Sequence, residues 1–258
     1  MTERISAIAF NTFREAIRDR VLYNLILFAL LLVGSAVLFG QISLGIERIV
    51  VINLSLTSIS VFGVLIAIFI GIGLVSKEIE KKTLYTVLAR PVRRWEFIVG
   101  KFSGLVQTLI VNALLMTLGF YAALLYVSHR FTAADLNPLV AIYFIMLQFV
   151  IVTSLALLFS SFSTPILSAI FSFLMFVIGT FAQDLRNFAA ISHGFIHWAA
   201  TAAAYLVPNF ASLNVISLVA HDQGVSNALV WQNTLYAVLY AGSVLCGSIL
   251  IFERRNFK

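Results

Sequence analysis

The sequence has little charge for its length. Of its 258 residues, 11% are Asp, Glu, Lys or Arg, whereas 61% are hydrophobic. So few polar side chains cannot cover the core of a soluble globular domain of this size. The composition therefore excludes a soluble protein and indicates a polytopic membrane protein built from apolar helices.

Cysteine pairs and the common catalytic motifs are also missing. The single Cys246 has no partner for an intrachain disulfide. There is no Gly-x-x-x-x-Gly-Lys-Ser/Thr phosphate loop, because no lysine follows Gly71 and Gly73 at the required distance. His-Glu-x-x-His and Gly-x-Ser-x-Gly are absent as well. We therefore expect no ATP site, no cofactor and no catalytic residue in this chain, and an integral-membrane enzyme is the least favoured class.

Two histidines have a spacing that metal sites use. His193 and His197 are four residues apart and could share one helix face. No carboxylate or thiolate is close in sequence, since Asp184 and Asp222 only flank the segment. We predict two polar side chains on an interfacial helix and no metal site.

Six apolar runs reach or approach the roughly 20 residues that an α-helix needs to cross a bilayer. They are residues 21–40, 50–76, 102–127, 138–160, 165–184 and 227–252. These runs contain almost no ionisable side chain, which argues against an ion- or proton-coupled transporter, because such proteins carry charged groups along their path. The predicted fold is all-α: one membrane domain, residues 1–258, with six transmembrane helices.

The cations predict how these helices are oriented. If the N-terminus is inside, only Arg48, Arg130 and Arg186 of the 17 lysines and arginines fall outside. This positive-inside bias predicts that both termini are cytoplasmic. The cations lie next to the membrane rather than along a solvated groove with aromatic residues, so a nucleic-acid partner is not expected.

Two segments outside the six runs are predicted to be helical. Residues 1–20 contain an amphipathic pattern, with Ile5, Ile8 and Phe13 on one side, which favours an interfacial helix over a polar tail. Residues 185–226 lie outside the membrane in this topology and yet are apolar. We interpret them as short helices at or in the outer leaflet, ended by Pro208; the alternative is a seventh span.

A charged segment, residues 77–101, separates the second and third runs, and we call it the coupling segment. It contains seven of the lysines and arginines. On a helix over 77–89, Glu80 lies within the apolar half, where a carboxylate is costly to bury without a partner. Arg90-Pro91 ends that helix, and a second helix starts at Arg93-Arg94. Gly100 and Gly104 then have a spacing that permits close helix approach.

The coupling segment resembles the coupling-helix signature of type 2 ATP-binding-cassette (ABC) transporter permeases, and more narrowly the six-span group of the nitrous-oxide-reductase maturation permease. The matching residues are Glu78, Glu80, Thr83, Leu84, Leu88, Pro91, Arg94 and Lys101. Residues 12–20, 205–210 and 252–257 resemble further motifs of that group. Lys82 departs from it, since many members carry glycine there.

The resemblance implies a set of partners. Two permeases, identical or homologous, would pair in a prokaryotic inner membrane, and each would rest on a separate ATPase subunit that holds ATP and magnesium. The ATPase contact would be Glu78, Glu80, Thr83, Leu84, Leu88, Pro91 and Arg94. Membrane lipid and an extracytoplasmic protein are further expected partners.

The function that follows is the permease subunit of an ATP-driven exporter. The alternative is a mechanotransmission complex that acts on an extracytoplasmic partner and transports no substrate. No substrate-binding residue is predicted.

Overall fold

The computed structural model describes residues 2–43, 45–80, 93–129 and 132–254. Within these ranges the fold is all-α, as predicted, and contains no strand. The α-helices are α1 (Thr2–Ile17), α2 (Arg20–Ile42), α3 (Glu47–Glu80), α4 (Arg94–Ser128), α5 (Asn137–Phe162), α6 (Pro165–Thr180), α7 (Ala182–Ile191), α8 (Phe195–Leu206), α9 (Ile216–Ala220) and α10 (Asn227–Arg254). Short 3₁₀ turns at Ala133–Leu136 and Ala211–Leu213 precede α5 and α9.

Five of the described helices are long and apolar enough to cross a membrane: α2, α3, α4, α5 and α10. Two bent pairs pass the same test when each pair is taken as one segment. One pair is α6 with α7, and the other is α8 with Ala211–Ala220. The described chain therefore has five to seven candidate spans, a range that includes the six predicted.

The fifth predicted span, residues 165–184, is not one continuous helix. Helix α6 ends at Thr180, and α7 begins at Ala182 after a bend of 62°. Because α6 has 16 residues, it is about 24 Å long, less than a hydrocarbon layer of roughly 30 Å. The bend follows Gly179, where an added Cβ would lie 2.5 Å from the Pro208 carbonyl oxygen. Hydropathy does not reveal it, because Phe181 and Ala182 continue the apolar run.

Helices α3 and α5 form the centre of the bundle. In their most apolar windows, 61% of α3 and 72% of α5 is buried, against 22% for both α2 and α10. Helix α3 packs on α2, α4 and α5, and α5 packs on α10. At the α3–α5 crossing, a Cβ on Gly63 would overlap the ring of Phe149. The absence of a side chain at Gly63 therefore leaves room for the Phe149 ring between the two central helices.

Several buried polar side chains within the bundle form hydrogen bonds inside their own helix or between helices. The hydroxyl of Thr153 donates to the Phe149 carbonyl at 2.7 Å, and that of Thr108 to the Gly104 carbonyl at 2.9 Å. Between α3 and α5, Ser60 donates to the Gln148 side-chain oxygen at 3.2 Å. Such bonds matter in hydrocarbon because no water is there to replace them.

Candidate functional site

The coupling segment begins on the end of α3. The apolar residues of that helix continue to Val75, and the helix continues to Glu80, about 8 Å further. The second predicted span, residues 50–76, therefore continues into this segment without a break. Glu78 and Glu80 lie on its last turn, and Arg94 is the first residue of α4.

The middle of the predicted contact lies outside the described residues. Thr83, Leu84, Leu88 and Pro91 all fall within 81–92. The same holds for Lys82 and for the helix end at Arg90-Pro91. The predicted ATPase contact therefore stays a prediction, with its two ends placed on α3 and α4.

The start of α4 is fixed by a hydrogen bond within its first turn. The backbone N–H of Arg93 donates to the Glu96 carboxylate at 2.9 Å. Glu96 is only 3% exposed, so this carboxylate is held inside the structure rather than in solvent. A side chain that reaches back to the residue before the helix is half of a capping box, and it fixes where the helix begins. The predicted second helix is thereby confirmed, starting at Arg94.

Helix α1 packs directly on this re-entry point. At Gly100 an added Cβ would lie 2.7 Å from the Cβ of Ile8, and at Gly104 it would overlap the backbone carbonyl of Ala9. The spacing of Gly100 and Gly104, which permits close helix approach, does support such a contact here, and the partner is the N-terminal helix. Any larger residue at either position would push α1 away from α4.

A buried cation lies between the same two helices. Lys101 is 1% exposed, and its Nζ is 3.9 Å from the Glu15 carboxylate of α1. The ammonium also lies over the Phe97 ring, 5.7 Å from its centroid. A desolvated ammonium over an aromatic face gains electrostatic stabilisation from the ring. Sequence reasoning counted Lys101 as a cation of the coupling segment and missed this contact with α1.

The C-terminal helix α10 also packs on the start of α4. The Phe252 ring of α10 stacks on Phe97 with centroids 5.8 Å apart and planes 12° apart. Phe97, Ile98 and Phe252 are each at most 2% exposed and form a small core of their own. Helices α1, α4 and α10 therefore meet where the coupling segment ends. The C-terminal motif singled out in the sequence begins with this Phe252.

On the opposite side of the molecule, α7 and α8 pack against each other and form a hairpin with exposed apolar side chains. Phe195 is 86% exposed, Trp198 75% and Tyr205 81%. The residues that follow attach the hairpin to the bundle. The Phe210 N–H donates to the Gly179 carbonyl at 3.0 Å, and the Asn209 N–H donates to the Tyr236 hydroxyl at 2.7 Å.

Neither histidine of that hairpin lies in a metal cluster among the described residues. The Nδ1 atom of His197 is 2.7 Å from the Ala189 carbonyl oxygen, so this ring links α8 to α7. The predicted helices between 185 and 226 are present. Their depth in the membrane stays a prediction.

One comparison decides the family. A family model described as ABC-2 family transporter protein matches residues 6–257, nearly the whole chain. The chain belongs to the ABC-2 transporter family. No curated protein matches the chain. An ABC-2 permease works with an ATPase subunit, so the class of protein and the need for such a partner follow from the family.

Proposed function

We propose that this ABC-2 family protein is the permease subunit of an ATP-driven exporter and that the coupling segment receives the movement of the ATPase. In this proposal ATP and magnesium are held by the partner subunit, and the permease works as a pair of copies or homologues in a prokaryotic inner membrane. Both termini face the cytoplasm, on the same side as the coupling segment.

The observation that supports it most is the mechanical continuity around the coupling segment. On one side, α3 enters it as an unbroken helix of 34 residues. On the other side, α4 leaves it while packed on α1 through Gly100 and Gly104 and on α10 through Phe97 and Phe252. A displacement of the segment is therefore transmitted to α3 at the bundle centre and to three further helices at once.

The ATPase contact is proposed at Glu78, Glu80, Thr83, Leu84, Leu88, Pro91 and Arg94. The test is co-purification with the cognate ATPase, using Glu80→Lys together with Leu84→Asp. We expect lost assembly and lost stimulation of ATP hydrolysis, because a reversed charge and a carboxylate would both enter the contact. Asp184→Lys is the matched control, since it reverses a charge on α7 far from the coupling segment. Unchanged assembly of the double variant would rule out this contact.

A second candidate function is mechanotransmission to an extracytoplasmic protein. It is favoured by the α7–α8 hairpin, whose exposed Phe195, Trp198 and Tyr205 are attached to α6 and α10 through Asn209 and Phe210. Such a hairpin would follow any movement of α6. Transport assays in proteoliposomes separate the two functions. Substrate flux that requires ATP and both subunits supports export, whereas ATP hydrolysis without flux supports mechanotransmission.

A further inference from the structure

A lateral groove runs between α2 and α4 and opens on the side of the bundle. It has a volume of about 460 Å³. Its lining is Leu30, Val33, Gly34, Val37, Leu38, Gln41, Gly119, Ala123 and Tyr126. Leu38 and Tyr126 are 63% and 61% exposed, so the groove faces the surroundings of the bundle rather than its core. All the lining side chains except Gln41 and Tyr126 lack a polar group.

The groove has the length of one membrane leaflet. From Leu30 to Gln41 it follows α2 for about 16 Å, and half of a hydrocarbon layer of roughly 30 Å is about the same. Helix α2 ends at Ile42, one residue beyond Gln41. The groove therefore occupies the leaflet next to the α2–α3 loop and stops at the membrane surface.

Two glycines create the space. An added Cβ at Gly34 would meet no atom within 4 Å, so the floor of the groove is open at that position. At Gly119 an added Cβ would lie 2.5 Å from Cδ2 of Leu30, so glycine lets this leucine fold back against α4. A leucine at position 34 would fill the groove without displacing any backbone.

A polar pocket continues the groove at its surface end. This pocket has a volume of about 620 Å³ and shares Gln41 and Tyr126 with the groove. Its other lining residues are Glu47, Arg48, Val127, Ser128 and His129. An apolar channel that opens into a polar pocket matches the shape of an amphiphile, with the tail in the first and the headgroup in the second.

The charges at this pocket favour a cationic group in the ligand. Arg48 is already bound by two carboxylates, Asp135 at 3.1 Å and Asp222 at 2.6 Å. Glu47 adds a third carboxylate, which accepts the Gly45 N–H at 3.1 Å and lines the pocket. Arg48 is thus already balanced by two carboxylates that lie outside the lining, and Glu47 is the described lining carboxylate that an ammonium would balance.

We propose that a phospholipid with a primary-ammonium headgroup binds here, with one acyl chain between α2 and α4 and its ammonium beside Glu47. The inference goes beyond the proposed function, because it concerns a lipid site on the single chain and requires neither transport nor an ATPase. Phosphatidylglycerol has the same tail but lacks the ammonium, so the headgroup distinguishes the two.

Photo-crosslinking tests the site in the full-length protein in bilayer nanodiscs. The probe is phosphatidylethanolamine with a photoreactive group on one acyl chain, and the labelled peptides are identified by mass spectrometry. We expect label concentrated on residues 30–41 and 119–126. Gly34→Leu should lower that labelling about fivefold or more, because its side chain fills the groove. Ala123→Leu narrows the same groove from α4. It replaces Gly34→Leu in this test if that variant does not fold, and the same loss of labelling is expected.

The controls separate this site from general lipid exposure. Gly242→Leu places the same side chain on α10, where an added Cβ also meets nothing within 4 Å, and should leave the labelling of α2 and α4 unchanged. Glu47→Lys should lower labelling by the phosphatidylethanolamine probe and spare a phosphatidylglycerol probe with the same chain. Label spread evenly over the lipid-facing helices, or a cross-link from the groove to a second copy of the chain, would overturn the proposal.

Discussion

Gly100 and Gly104 set the distance between α1 and α4. Their missing side chains let Ile8 and the Ala9 carbonyl lie directly on the α4 backbone. Lys101, between them, brings its ammonium within 3.9 Å of Glu15 on α1. Attachment of the N-terminal helix to the coupling segment thus depends on a few atoms, and single substitutions can test it.

Gly104→Val should loosen α1 from α4. The new side chain overlaps the Ala9 carbonyl, and overpacking of this kind costs about 1–3 kcal/mol. We expect a lower melting temperature in detergent and faster proteolysis within α1. Gly242→Val is the control, because the space around Gly242 is open and only the weaker helix propensity of valine is tested there. Equal melting temperatures for the two variants would contradict a close α1–α4 contact.

Glu15 and Lys101 should show a coupling energy in a double-mutant cycle. Glu15→Lys puts a second cation beside the buried Lys101 ammonium and should destabilise the protein by about 1 kcal/mol or more. Adding Lys101→Glu restores opposite charges and should recover part of the loss. The measurement is thermal unfolding of the two single variants and the double variant. Strictly additive effects would mean that the two groups do not interact.

At the scale of the elements, the α7–α8 hairpin exposes several large apolar side chains although it is too short to be two spanning helices. Helix α8 has 12 residues, about 18 Å, too few to cross a bilayer alone. Phe195 and Trp198 nonetheless lie on the surface. Large apolar patches on a surface indicate contact with lipid or with a partner, and we expect lipid.

Trp198 can report the depth of this hairpin. A variant with Trp95→Phe and Trp231→Phe leaves Trp198 as the only tryptophan of the chain. We expect its fluorescence to be strongly quenched by lipids with brominated acyl chains, because the side chain is 75% exposed and apolar. A control with Trp198→Phe added should retain only tyrosine emission. Quenching by aqueous iodide instead would place the hairpin in water and weaken the outer-leaflet interpretation.

At the scale of the whole molecule, two central helices are surrounded by helices that are more exposed. Helices α3 and α5 have most of their surface buried, whereas α2 and α10 face outwards over most of theirs. Outer faces of this extent are covered in the membrane by lipid or by another subunit. The proposed pairing of permeases and the proposed lipid groove on α2 both use this outer surface.

The orientation of the whole molecule is tested by cysteine labelling. Since Cys246 is the only cysteine, Cys246→Ser gives a background without thiols. Ser6→Cys on α1 and Ser226→Cys before α10 place single thiols on opposite sides in the proposed topology. An impermeant maleimide applied to intact cells should label position 226 and leave position 6 unlabelled until the membrane is opened. The reverse pattern would invert the topology and move the coupling segment outside.

The sequence alone determined the class of this protein and the approximate positions of five of its six predicted long helices. Apolar runs of about 20 residues predict spanning helices because backbone groups in hydrocarbon must bond within their own segment. The residue pattern of the coupling segment resembled that of type 2 ABC permeases, and the family match over residues 6–257 confirmed this resemblance. The Gly100 and Gly104 spacing showed where a close helix contact is permitted.

Only the tertiary structure decided which elements meet. It placed α1 on Gly100 and Gly104, brought Phe252 onto Phe97, and bent the fifth predicted span after Gly179. These contacts join residues that are far apart in the chain, and an apolar pattern contains no information about its partner, because any apolar face can pack on any other. The order in which helices pack is set by side-chain shape at each crossing, and shape becomes visible only when both helices are in place.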